Sequence, residues 1–191
     1  MKEMFFEVGR ELGRMGLVSS HSGNMSVRTQ GGMLITRHGA MLACLKEEDI
    51  VEAPLVGRIP DASTELVVHQ AIYAHTEARA ILHCHPPHAV LLSLYLKEIN
   101  PIDAEGKHLL GKVPVVEVRN PIGSREVAQA LPPFFGESKV VVVRGHGSFA
   151  IGQDLREALM FSSALESSSK ILYLALLLQG TLGRPVGGGK P

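Results

Sequence analysis

The sequence has no surplus of charge, almost no cysteine, no tryptophan and no long hydrophobic run. Nineteen Lys and Arg balance nineteen Asp and Glu, and the pI is near 7.1. Coating nucleic acid requires a basic surplus to neutralise phosphates, so that class is excluded. A polybasic membrane anchor is excluded on the same ground. Cys44 and Cys84 are too few to staple a secreted domain. The longest apolar run, Ile171 to Leu178, falls far short of the roughly 20 residues a spanning helix needs. The opening MKEMFFEVGRELGR is charged throughout and does not read as a secretory signal. A soluble, cytoplasmic globular protein is expected, acting without nucleic acid or membrane.

What is present is aliphatic and histidine-rich. The chain is 45% hydrophobic and 20% charged, with nine histidines but only three tyrosines. That excludes a disordered chain, and 191 residues can bury a core as one domain, residues 1–191, with 183–191 a flexible Gly/Pro-rich tail. Helical spacing of Met4, Phe5, Val8, Leu12 and Met15 predicts a helix over 2–16. A polar loop follows, then a hairpin of 25–28 with 33–36 around Gln30-Gly31-Gly32. A strand is expected at 50–52. Residues 61–64 offer caps for a helix running to about 77. A strand over 80–85 stops at Pro86-Pro87, and a helix is expected over 88–96. Residues 97–112 read as irregular, 113–118 as a strand and 124–131 as a short helix. Strands at 139–143 and 147–151 flank the turn Arg144-Gly145-His146. The capping box Asp154-x-x-Glu157 opens a long helix ending near 179–180. Tight turns between strands imply antiparallel pairing, because parallel pairs need long crossovers. A largely antiparallel sheet with helices on its faces is the expected class.

Three clusters can carry chemistry. On a strand, His83 and His85 share one face and Cys84 takes the other. Such a pair can grip a metal ion or be two ordinary turn histidines; residues alone leave both open. A catalytic zinc takes three protein ligands and keeps an open position, and His146, in its turn, is the best-placed third. His88 competes for that place but lies beyond the Pro-Pro stop. The second cluster is Asp61-Ala62-Ser63-Thr64-Glu65, where hydroxyls meet the free N–H groups of a helix start. That can be an anion site or simple capping. The third is Ser22-Gly23-Asn24-Met25-Ser26, a turn with backbone donors and an amide.

Taken in order, Ser22-Gly23-Asn24, Ser26-Val27-Arg28, Leu34-Ile35-Thr36-x-x-Gly39, Ser63-Thr64-Glu65, His83-x-His85 and Arg144-Gly145-His146-Gly147 resemble the class II aldolase and adducin head-domain family, nearest its L-fuculose-1-phosphate aldolase branch. The resemblance runs from the first helix to about residue 180. It implies a three-layer α/β/α sandwich around a mostly antiparallel sheet, assembled as a homotetramer with active sites between subunits. It implies one zinc per chain on His83, His85 and His146, with Glu65 as acid/base. It places a substrate phosphate on Gly23, Asn24, Gly39, Ser63 and Thr64. Two positions differ from the fuculose branch. His38 stands before Gly39 where a hydroxyl residue is usual, and the loop Pro101 to Gly106 has no tyrosine, only the acids Asp103 and Glu105.

The implied activity is zinc-dependent cleavage of a ketose 1-phosphate to dihydroxyacetone phosphate and an aldehyde. A sugar-phosphate epimerase or dehydratase on the same centre is the nearest alternative, and a non-catalytic assembly module the more distant one.

Overall fold

The computed structural model describes residues 1–182, so the expected tail at 183–191 lies outside the described residues. Eight strands form one sheet in the order β3-β2-β1-β4-β8-β7-β6-β5. They are β1 (Asn24–Arg28), β2 (Met33–Thr36), β3 (Ile50–Ala53), β4 (Ala80–Cys84), β5 (Glu98–Ile99), β6 (Val113–Val116), β7 (Val140–Val143) and β8 (Gly147–Gly152). Every neighbouring pair is antiparallel except β6 with β7. The mostly antiparallel sheet expected from the tight turns is therefore observed.

Helices cover both faces, which gives the three layers. The first face carries α1 (Lys2–Arg14), α3 (Pro87–Ser93), α4 (Ala104–Leu109) and α6 (Leu155–Leu182); the second carries α2 (Leu66–His75) and α5 (Arg125–Ala130). Strand alternation divides the apolar side chains between them. Leu82, Cys84, Val140, Val142 and Ala150 join Phe5, Leu12 and Leu165 on the first side. Ile81, Val141, Val143, Phe149 and Ile151 join Val68, Ile72 and Val127 on the second. Central strands covered on both faces need continuous apolar runs, and β7 is four valines, all buried.

Four local expectations are corrected. Residues 97–112 are not irregular but hold β5 and α4, because Asp103 caps α4 through the Gly106 N–H at 2.8 Å and the helix packs on α6. The second helix starts at Leu66, not after residue 61. Residues 61–63 are instead tied to the end of β2 by a bridge between Arg37 and Ala62 and by Ser63 N–H donating to the Thr36 carbonyl. The helix after the Pro-Pro stop closes at Ser93, short of residue 96. In α6, Asp154 accepts from the Glu157 N–H at 2.9 Å, but the return bond from Glu157 goes to Gln153, one residue early.

Candidate active site

β4 runs down the middle of the sheet, and its sequence AILHC places His83 at its end, buried, on the Phe149 side. His83 Nδ1 donates to the Ser148 carbonyl at 2.9 Å. That bond sets the tautomer, leaving Nε2 as a bare lone pair. His85 follows the strand end, and its Nε2 lies 3.1 Å from that of His83. His146 enters from the β7–β8 turn, its ring centroid 4.8 Å from His83 and 5.0 Å from His85.

The turn is held rigidly. Arg144 donates to the carbonyls of Ser93 and Leu96, and the Gly145 N–H donates to Ser93 Oγ. Gly147 follows His146 because nothing larger fits. A Cβ there would stand 2.5 Å from the Cys84 carbonyl oxygen and 2.6 Å from His85 Cδ2.

Ligand nitrogens of the three histidines all lie within 4.8 Å of one another. Tetrahedral zinc with imidazole ligands needs nitrogens about 3.3–3.4 Å apart, from bond lengths of about 2.0–2.1 Å. The His83–His85 spacing already meets that. Burial holds His83 well below the usual imidazole range, with the neighbouring histidines adding to it, and lowers His85 as well. His146 is pushed down to about 4, first by burial and then by His85. The Pro121 carbonyl opposes this weakly, without a well-formed hydrogen bond to Nδ1. All three rings are therefore neutral near pH 7, the state a metal requires.

Glu65 immediately precedes α2, and its Oε1 lies 3.9 Å from His146 Nε2. Oε1 accepts from the Gly123 N–H at 2.8 Å, while the buried Oε2 has no partner among the described residues. Burial raises its pKa to about 7, the Gly123 bond opposing. Gly123 can approach only because it is glycine. Its φ is +55°, and a Cβ would stand 2.9 Å from the Thr64 carbonyl oxygen. A buried carboxyl with an orphan oxygen, standing beside one of three neutral imidazoles, suits a cation.

The residues expected to hold a phosphate gather at the same end of the sheet. Asn24 is the register partner of His83, and a Cβ on Gly23 would stand 2.8 Å from the His83 carbonyl oxygen. Ser63 Oγ accepts from the Glu65 N–H. Gly39 is exposed in the turn after β2, with open space where a side chain would stand. His38 beside it is exposed and donates its backbone N–H to the Asp61 carbonyl. His88 is turned away from the cluster and bonds Glu166. Asp103 is engaged as a helix cap. Two cavities of about 330 and 530 Å³ lie elsewhere, around His75–Ala78 and between α2 and α5; neither is lined by the three histidines.

Sequence reasoning missed Gly123, Ser148 and His69. Gly123 only precedes the short helix expected over 124–131, and Ser148 acts through a backbone carbonyl, which no side-chain pattern reports. His69 did leave a signal: Glu65, His69 and Tyr73 recur every fourth residue along one face of α2.

The model of the family described as Class II Aldolase and Adducin N-terminal domain matches residues 3–173. The chain belongs to this class II aldolase family. It is 41% identical to an L-fuculose-1-phosphate aldolase from Thermus thermophilus, whose crystal structure superposes with a TM-score of 0.91 over 96% of this chain and 97% of that one. An L-fuculose phosphate aldolase of Methanocaldococcus jannaschii is 30% identical over 93% of this chain and 98% of its own. A 3-oxo-tetronate 4-phosphate decarboxylase of Haemophilus influenzae is 28% identical over 90% and 86%. As a class II aldolase, the chain is a lyase acting in sugar-phosphate chemistry, and class II aldolases depend on a metal. No helix among the described residues is long and apolar enough to cross a membrane.

Proposed function

We propose that the chain is a zinc-dependent aldolase that cleaves a ketose 1-phosphate, of the L-fuculose 1-phosphate type, to dihydroxyacetone phosphate and an aldehyde. The observation that carries this reading is the meeting of three neutral histidines, His83, His85 and His146, with a buried carboxyl, Glu65, whose pKa lies near 7. His83, His85 and His146 would hold the zinc, which when bound would act as a Lewis acid toward the ketose carbonyl.

The chain's own residues do the rest. Retro-aldol cleavage takes a proton from the hydroxyl on the carbon that becomes the aldehyde and returns one to the neighbouring carbon. A carboxyl that titrates near neutral pH can hold that proton and release it. The Gly123 N–H keeps Oε1 fixed and leaves Oε2 for the proton. Gly23, Asn24, Gly39, Ser63 and Thr64 bind the phosphate. Ser63 and Thr64 stand just ahead of α2, whose dipole favours an anion. Asn24 contributes its amide nitrogen, its oxygen being engaged by His69.

A second reading is decarboxylation of a keto-acid phosphate. The observation behind it is the similarity to a relative of that activity. Metal analysis of the purified protein with a product screen over ketose phosphates and 3-oxo acid phosphates tests both. Zinc near one per chain and dihydroxyacetone phosphate as product support the aldolase. Carbon dioxide as product replaces it with the decarboxylase. Glu65→Gln is expected to keep metal and fold but lose about 10²–10⁴-fold in turnover.

A further inference from the structure

β1 and α2 meet through four buried polar side chains, three of which the reaction above leaves unused. Asn24 and Ser26 lie two apart on one face of β1. His69 and Tyr73 lie one turn apart on one face of α2, extending the stripe that begins at Glu65. Asn24 Oδ1 is 2.6 Å from His69 Nε2, His69 Nδ1 is 2.6 Å from Ser26 Oγ, and Ser26 Oγ is 2.8 Å from the Tyr73 hydroxyl. Arg28 locks the two elements in register. Its guanidinium donates to the carbonyls of Tyr73, Thr76 and Ala78 and lies 4.7 Å from the centre of the Tyr73 ring.

Each contact in this chain takes one hydrogen, and the tautomer of His69 sets the direction. Burial keeps His69 neutral, with its pKa down to about 3, so its ring carries one N–H. In one direction Tyr73 donates to Ser26, Ser26 donates to His69 Nδ1, and His69 Nε2–H donates to the Asn24 carbonyl oxygen. With the other tautomer His69 Nδ1–H donates to Ser26 Oγ and the Asn24 amide turns over so that its NH₂ group donates to Nε2. Ser26 and Tyr73 then bring two hydroxyl hydrogens to the one contact between them, and neither hydroxyl has a further acceptor among the described residues, so one hydrogen is left unpaired. Burial also raises the Tyr73 pKa, so the phenol keeps its proton. A buried hydroxyl hydrogen without an acceptor is costly, so the first direction holds.

We infer that His69 is a positioning residue: the Tyr73–Ser26–His69 relay fixes the Asn24 amide with its oxygen inward and its NH₂ group presented to the phosphate. This rests on the reading of Asn24 as part of the phosphate site. The consequence is large because an amide has two ends. Turned over, Asn24 would offer its oxygen to an anion instead of two donors. The relay decides which end the substrate meets before it arrives.

Two measurements on the metal-loaded chain test this. In the unaltered protein, ¹⁵N NMR of the imidazoles is expected to show His69 protonated at Nε2 and bare at Nδ1; the opposite tautomer overturns the inference. The second is a double-mutant cycle on binding of inorganic phosphate, with metal content followed throughout. Asn24→Ala and His69→Phe are each expected to weaken phosphate binding about 10–100-fold, the range for a hydrogen bond to a charged group. The double variant is expected to bind no worse than Asn24→Ala alone. Ser26→Ala, a smaller change, is expected to weaken phosphate only when Asn24 is present, and serves if His69→Phe does not fold. Additive losses overturn the positioning role while leaving the phosphate site in place. Unchanged binding in Asn24→Ala overturns both.

Discussion

Glu65 shows how much a single environment decides. An exposed glutamate at the start of a helix is a dipole-friendly surface acid, but here the side chain is 3% exposed and its pKa is near 7. In the metal-free protein the folded state therefore holds a proton that the unfolded state has released between about pH 4.5 and 7. Stability from this group is fully present below pH 4.5 and is lost as pH rises through 7, by up to about 3 kcal/mol. Gln mimics the protonated form at every pH. With chelator present, Glu65→Gln is expected to match the parent near pH 4.5 and exceed it near pH 8 in denaturant unfolding; equal stability at both would show an exposed carboxylate. Gly147 is the second residue on which the site turns. Gly147→Ala pushes on the Cys84 carbonyl and on His85. A loss of about 1–3 kcal/mol in stability and about 10–100-fold in metal affinity is expected from unfolding and metal titrations.

The β7–β8 turn matters more than its length suggests. It carries one ligand, His146, and is joined to α3 by Arg144 and Gly145. Because α3 begins two residues after His85, this tie sets the distance between two ligands that lie about 60 residues apart in sequence. Arg144→Met keeps the apolar stem and removes the donors. About tenfold weaker zinc binding with little change in far-ultraviolet circular dichroism is expected. Unchanged zinc affinity would mean that the strands alone position His146. The start of α2 works in a related way: residues 61–63 are tethered to β2, so Ser63, Thr64 and Glu65 arrive at the sheet end with their orientation already set.

At the scale of the molecule, the end of α6 is the feature the described residues leave uncovered. Ile171, Leu174, Leu176, Leu177 and Leu178 are each between 41 and 54% exposed on α6. A helix apolar on nearly every side is normally buried on every side, and a second copy is the simplest cover. The homotetramer implied by the family resemblance would cover that surface. Light scattering at micromolar concentration is expected to report about four times the 20.6 kDa chain mass. A monomer with full activity would overturn both the assembly and a site shared between subunits.

Much of the fold was legible because its signals are local. Alternation marks β1, apolar runs mark β2, β4 and β7, and short turns dictate antiparallel neighbours; these hold whatever the rest of the chain does. His83 and His85 were legible because strand period alone puts them on one face. β5 and α4 were not, because neither has its own periodicity and both are held by packing against β6 and α6. Nor could sequence show that Glu65 loses its water, that Ser148 sets the tautomer of His83, or that His69 reaches Asn24 across 45 residues. Residue types and their spacing determine which groups are available. Desolvation, tautomer and amide orientation depend on what stands on the other side of each group, and only the tertiary structure supplies that.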